Sequence, residues 1–155
     1  MTAPLGFTSR QLELWDMRRR GRGVSEIGQQ FGITKQAVSK ALKGIESRVQ
    51  KALAETARAA KIDVYHVDPG LGVLLGFSRE RREKVIVTFT AKNGVHIWHF
   101  HSDSCRGCEY QDDCRRLLID EAAERNVQLS SEEKDEPPSA LARTVFSKVL
   151  PGVEP

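Results

Sequence analysis

Residues 23–46 read GVSEIGQQFGITKQAVSKALKGIE, and no other stretch limits the possible folds as sharply. Gly32 stands between two helix-forming runs, where a residue able to take a positive φ ends one helix in a tight turn. Ile33 then returns to the core, and Thr34 has the side-chain oxygen needed to cap the next helix. On the near side, Ser25 is the expected cap of a short helix reaching Phe31, with Ile27 and Phe31 four apart on one face. Gly28 is small enough for two helices to cross at it, and Val38 and Ala41 fall on the inward side of the third helix. The pattern predicts a helix-turn-helix; a plain three-helix core is the alternative reading.

The flanks extend this pattern. Thr8 or Ser9 can cap a first helix over about residues 10–20, with Leu12, Leu14, Trp15 and Met17 on its apolar side and Gly21 and Gly23 ending it. Beyond Ile45 no proline intervenes before Pro69, so the third helix is expected to run to about Lys61. Leu42, Ile45, Val49, Ala52 and Thr56, with Leu53 alongside, follow the 3-4 spacing of a coiled-coil seam. That spacing predicts a homodimer joined through Leu42, Ile45, Val49 and Leu53; packing against the chain's own C-terminal half would use the same stripe.

A third helix lying in the DNA major groove must offer donors and acceptors to base edges from its exposed N-terminal side. Lys35, Gln36, Ser39, Lys40 and Lys43 occupy those positions. Gln36 suits adenine and Lys40 guanine, whereas Thr34 and Lys43 suit phosphate. Arg18, Arg19, Arg20 and Arg22, at the end of the first helix, are read as backbone contacts, or as cations favoured at a helix C-terminus in any case. Charge runs the same way: residues 1–61 hold twelve Lys/Arg against five Asp/Glu, and residues 62–155 hold twelve against sixteen. A +7 half followed by a −4 half is what a chain needs if a polyanion meets only its first part.

The stretch FTSRQLELWDMRRRGRGVSEIGQQFGITKQAVSKALKGIESRVQKA resembles the DNA-binding domains of sigma-factor region 4 and LuxR type. It is more closely similar to the archaeal Tfx-like regulators, where T-x-R-Q opens the first helix. The resemblance covers about the first third of the chain and implies transcriptional control by promoter binding to double-stranded DNA. The cysteine-bearing segment is not part of the Tfx pattern, so the resemblance says nothing of a signal.

After residue 61 the pattern changes. VDPGLG breaks the helix, and strands are expected at residues 73–78, 84–91 and 95–101. KNGV supplies an Asn-Gly pair, the strongest short hairpin signal, between the second and third of these. Counted outward from a two-residue turn, Ala91 faces His96, Phe89 faces Trp98 and Val87 faces Phe100 on one side. Thr90 faces Ile97, Thr88 faces His99 and Ile86 faces His101 on the other. The first side is the expected core, which makes His96 a core or rim histidine.

HFHSDSCRGCEYQDDCRR, residues 99–116, holds all three cysteines. Three thiols within ten residues cannot pair off as disulfides, and in a reducing compartment the spacing points to a metal. The expected ligands are Cys105, Cys108 and Cys114, with His101 as the fourth and His99 as its alternative. CRGCEYQDDC resembles the C-x2-C-x5-C end of [4Fe-4S] segments in endonuclease III-type glycosylases, which implies an iron–sulfur cluster of the [4Fe-4S] type; Cys3His zinc is the alternative. A helix carrying Leu117, Leu118 and Ala122 follows. The tail SSEEKDEPPS reads as an acidic connector, and Ser139 as the cap of a last helix with Leu141, Val145, Phe146 and Val149 on its apolar side.

These elements add up to an α+β chain: an N-terminal helix-turn-helix with a long following helix, a small antiparallel sheet with a metal-binding loop, and C-terminal helices. The expected divisions are 1–61 for DNA binding, 62–129 for sensing, and 130–155 for the connector and last helix. No run approaches the ~20 apolar residues of a membrane span, and the N-terminus has no export or import pattern, so a cytoplasmic protein is expected. An enzyme using His66, His99 or Asp103 is the weakest reading, because no nucleotide loop, triad or paired carboxylates of interpretable spacing appear. The leading expectation is a regulator whose cluster responds to redox state or a small ligand, and a constitutive DNA binder with structural zinc is the runner-up.

Overall fold

The computed structural model describes residues 4–100 and 108–151. Three helices come first: α1 (Ser9–Arg19), α2 (Val24–Phe31) and α3 (Lys35–Ala59). Thr8 caps α1 in a reciprocal box with Gln11. Gly23, and not Ser25, is the cap residue of α2. Ser25 falls inside the first turn and leaves that helix start without a side-chain acceptor. Gly32, at φ 68°, closes α2, and the Ile33 N–H donates to the Gly28 carbonyl at 2.9 Å. A Cβ on Gly28 would lie 2.7 Å from the Ile33 carbonyl oxygen, so only glycine allows the chain to double back this closely.

Helix α3 spans 25 residues, about 37 Å at 1.5 Å per residue. Its buried stripe is Val38, Leu42, Ile45, Val49, Leu53 and Ala57. This corrects the expected dimer seam. Leu42, Ile45, Val49 and Leu53 are 6%, 2%, 0% and 0% exposed within the single chain, in one core with Trp15, Leu74, Val85, Val87 and Phe89. A helix lying on its own sheet needs the same 3-4 spacing as a helix lying on a partner, and here the sheet takes the stripe.

That sheet is an antiparallel meander in the order β1-β2-β3-β4, built from β1 (Ile62–Asp68), β2 (Val73–Ser78), β3 (Glu83–Thr90) and β4 (Gly94–His99). The first strand was not expected. It is an edge strand whose Asp63, Val64, Tyr65 and His66 are exposed, so it lacks a sustained apolar alternation. After the sheet come α4 (Gln111–Glu124), the short α5 (Ser131–Lys134) and α6 (Pro138–Val149). The stretch expected to be only a connector contains α5, which Ser130 and Glu133 close with a capping box. Pro137 and not Ser139 precedes α6, with Pro138 in its first turn.

The β3–β4 hairpin departs from the expected register. Thr90 pairs with Gly94, which leaves Ala91, Lys92 and Asn93 as a three-residue loop followed by Gly94 at φ 73°. The Asn93 N–H donates to Thr90 Oγ1 at 3.0 Å, and Asn93 Nδ2 donates to Asp120 on α4 at 3.2 Å. The loop is thus held from outside the hairpin. An odd shift of register exchanges the two faces: Phe89 stands opposite Val95, Thr88 opposite His96, Ile86 opposite Trp98 and Val85 opposite His99. Val85, Val87 and Phe89 pack toward α3 with Val95 and Ile97, whereas Ile86 and Trp98 pack with Leu118, Ala122, Leu141, Val145 and Phe146 of α4 and α6. The sheet therefore lies between two helical layers, which explains why β3 reads as the nearly unbroken apolar run VIVTF.

Candidate nucleic-acid interface and cysteine end

Thr34 accepts a hydrogen bond from the Ala37 N–H at 3.0 Å and fixes the start of α3. Because Val38, Leu42 and Ile45 face inward, Lys35, Gln36, Lys40 and Lys43 are turned outward and exposed, with Ser39 half-buried among them. These five residues and Val24, at the start of α2, line one open groove. Three ammonium groups and no carboxylate border it. Five of the residues expected to read bases or phosphate are therefore brought to one surface, whereas Thr34, the sixth, does not line this groove and its hydroxyl caps the helix.

The arginines after α1 divide. Arg18 is exposed and donates to the Arg22 carbonyl at 3.0 Å; Arg22 donates to Gln30 at 3.2 Å and lies 3.8 Å from Glu26. Arg20 pairs with Asp16 at 2.9 Å and keeps 40% of its side chain exposed. Arg19 is different, and its expected role as a backbone contact is corrected here. Its side chain is 1% exposed, its guanidinium lies over Trp15 at 4.0 Å, and Nη2 reaches both Asp16 at 2.6 Å and Glu124 at 2.9 Å. A guanidinium buried this far, over an indole and between two carboxylates, is out of reach of a phosphate.

Glu124 also accepts from the Ala91 N–H, so one carboxylate at the end of α4 holds both α1 and the β3–β4 loop. A second buried network adjoins it. Glu121 accepts from Thr88 Oγ1 and from Trp98 Nε1, the latter at 3.3 Å, and pairs with Arg125 at 2.7 Å. Arg125 in turn donates to the carbonyls of Leu71, Gly72 and Phe89 at 3.1, 3.2 and 3.3 Å. Burial pushes the Glu121 carboxyl above the ordinary glutamate value, against the pull of Arg125. Glu121, Glu124 and Arg125 were not singled out from the sequence. The available signal was a Glu and an Arg four apart on the helix that follows the cysteines.

At the opposite end of α4, Cys114 sits in the first turn, half-buried, its N–H donating to the Tyr110 carbonyl at 2.9 Å; Cys108 is exposed. Both thiols line a cavity of about 210 Å³ together with Arg81, His96, Trp98, His99 and Leu118. His99 Nδ1 is 3.1 Å from Glu83 Oε1. His96 stacks on Trp98 with ring centroids 4.0 Å apart, and burial, with His99 nearby, lowers its pKa below the ordinary histidine value. It is half-buried on the α4 side of the sheet, not in the core beneath α3. The expected ligands Cys105 and His101, and Asp103 of the enzyme reading, lie outside the described residues. Among the described residues no group of three or more His, Cys, Asp or Glu stands close enough to hold a metal ion. What these residues bring together is two of the three expected thiols and the alternative imidazole, around one cavity. His66, also part of the enzyme reading, is exposed on β1, away from this cavity.

No helix among the described residues is long and apolar enough to cross a membrane. Comparison with protein-family models, with curated proteins and with solved structures finds no match to this chain.

Proposed function

We propose that the chain is a sequence-specific, double-stranded-DNA-binding transcriptional regulator and not an enzyme. In this reading α2, its glycine turn and α3 form a helix-turn-helix, and the cysteine end is a metal-bearing sensor. The observation that carries the reading is the groove at the start of α3, where Lys35, Gln36, Ser39, Lys40 and Lys43 converge without a carboxylate. Such a surface supplies cations for phosphate and an amide for a base edge on a helix narrow enough for the major groove.

The metal ligands in this reading are Cys105, Cys108 and Cys114 with His101 or His99, and the cofactor is an iron–sulfur cluster, with zinc as the other assay outcome. Thiolate and imidazole donors suit either. When bound, the cluster supplies a group whose charge and occupancy change with redox state. A cytoplasmic homodimer remains part of the proposal, joined by a surface other than the α3 stripe.

Selection of duplexes from a randomised library, followed by a salt titration of the best binder, tests the DNA reading. The expected result is a selected motif whose affinity falls with a log–log salt slope of several phosphate contacts. Failure to enrich any sequence overturns it. Iron, sulfide and zinc assays on protein purified without air test the cofactor.

A further inference from the structure

Resting on that reading, we propose that α4 transmits the state of the cysteine end to the reading helices and that the Arg19–Glu124 ion pair is its output contact. The two ends of the sheet are far apart in function. Strand β4 runs from Gly94, beside the loop that Glu124 holds, to His99, at the cysteine cavity. Helix α4 runs the other way, with Cys114 in its first turn and Glu124 as its last residue. Its 14 residues span about 21 Å. The reading residues stand at the start of α3, whereas the chain just past its far end, at Lys61, accepts from the Arg79 N–H beside the β2–β3 turn, whose Arg81 lines the cysteine cavity. The cysteine cavity and the reading groove thus share no lining residue, and α4 has one end in each half.

The contact at the α1 end is built to feel displacement. Arg19 is enclosed, so losing Glu124 cannot be made good by water. Leu118 and Ala122 seat α4 on the sheet, and Glu121 and Arg125 hold its last turn to Thr88, Trp98 and three strand-end carbonyls. Movement imposed at Cys114 therefore reaches Glu124 through a seated helix, and Arg19 carries it into α1, which shares a core with α3.

Glu124→Gln is the variant of choice: Arg19 Nη2 and the Ala91 N–H both donate to Oε1, so the amide oxygen can keep both hydrogen bonds while the charge that makes the ion pair is lost, and Arg19 keeps Asp16. The assay compares operator affinity of metal-loaded and chelator-stripped protein, using a duplex selected on the wild type, with metal content measured alongside. Wild type is expected to change affinity at least fivefold on stripping, within the usual range of coupling between sites. Glu124→Gln is expected to hold its metal and to change less than twofold. A variant that keeps the wild-type ratio overturns the coupling route and leaves the regulator standing. A wild-type ratio of one overturns the sensor reading together with the route. If the variant does not fold, hydrogen exchange on the wild type decides: stripping must alter amide protection in residues 9–19, and unchanged protection there overturns the proposal.

Discussion

Trp15 of α1 and Phe89 of β3 pack with ring centroids 5.2 Å apart and planes tilted by 51°. Both side chains are fully buried, and the Arg19 guanidinium lies over the indole at 4.0 Å. Trp15→Ala is therefore expected to cost about 3–5 kcal/mol, as for other large aromatic truncations in cores. Urea denaturation followed by far-ultraviolet circular dichroism measures it; a loss below about 1 kcal/mol would mean the first helix is not part of the main core.

The turn between α2 and α3 gives a second test. Gly28→Ala places a methyl group 2.7 Å from a backbone oxygen, which cannot swing away as a flexible side chain would. The expected loss is about 1–3 kcal/mol, the usual range for overpacking. Thermal unfolding checks it, with Gly44→Ala as the control at an open helical position. Equal behaviour of the two substitutions would show that the crossing is looser than described.

Lysines and the enclosed arginine should separate in DNA binding. Lys43→Ala is expected to weaken binding to all duplexes alike and to reduce the salt slope by ~1, as loss of one phosphate contact does. Gln36→Ala is expected to cost ~1–3 kcal/mol on the selected duplex and little on a scrambled one. Arg19→Gln should leave the salt slope unchanged and lower the unfolding midpoint, because its partners are Asp16, Glu124 and Trp15. A slope that falls by ~1 for Arg19→Gln would return it to the phosphate contacts.

Removing Arg125 should expose the burial of Glu121 as a pH effect. In Arg125→Met, the 2.7 Å ion pair is gone, and the carboxyl, already raised above its ordinary 4.5 by burial, rises further. The folded state then binds a proton that the unfolded state releases, so stability from this group is present below about pH 4.5 and is lost as pH rises through the raised folded value. The variant is expected to be about 3–5 kcal/mol less stable than wild type at pH 7, and less so under acid conditions. A gap independent of pH would contradict the placement of Glu121.

How far the sequence foretold this molecule depended on whether the determining contact was local. The cap at Thr8, the left-handed Gly32 and the crossing at Gly28 are set by residues within a few positions of each other, and each was legible. The hairpin loop was not. Asn93-Gly94 favours a two-residue turn by itself, but Asp120 and Glu124, nearly thirty residues away or more, hold the three-residue form. The α3 stripe was legible as a stripe but not as to its occupant, since an apolar seam does not record whether sheet or partner covers it. Arg19 was indistinguishable from its neighbours in the run RRRGR, because its enclosure is completed by Glu124 at the distant end of α4. At the candidate interface the outward row from Lys35 to Lys43 followed directly from helical periodicity. At the cysteine end the spacing was legible, and Glu83 beside His99 was not, being a contact between separate strands.

The core that holds Trp15, Val49, Leu74 and Phe89 together draws on both sides of the boundary expected at residue 61. A chimera that grafts the second half onto a foreign reader, joined at that point, would strip the sheet of the helices that roof it and expose a wide greasy surface. The helices and the sheet fold as one unit, so under the proposed DNA-binding role a new specificity is better sought by rewriting the few outward side chains of α3 than by exchanging cassettes.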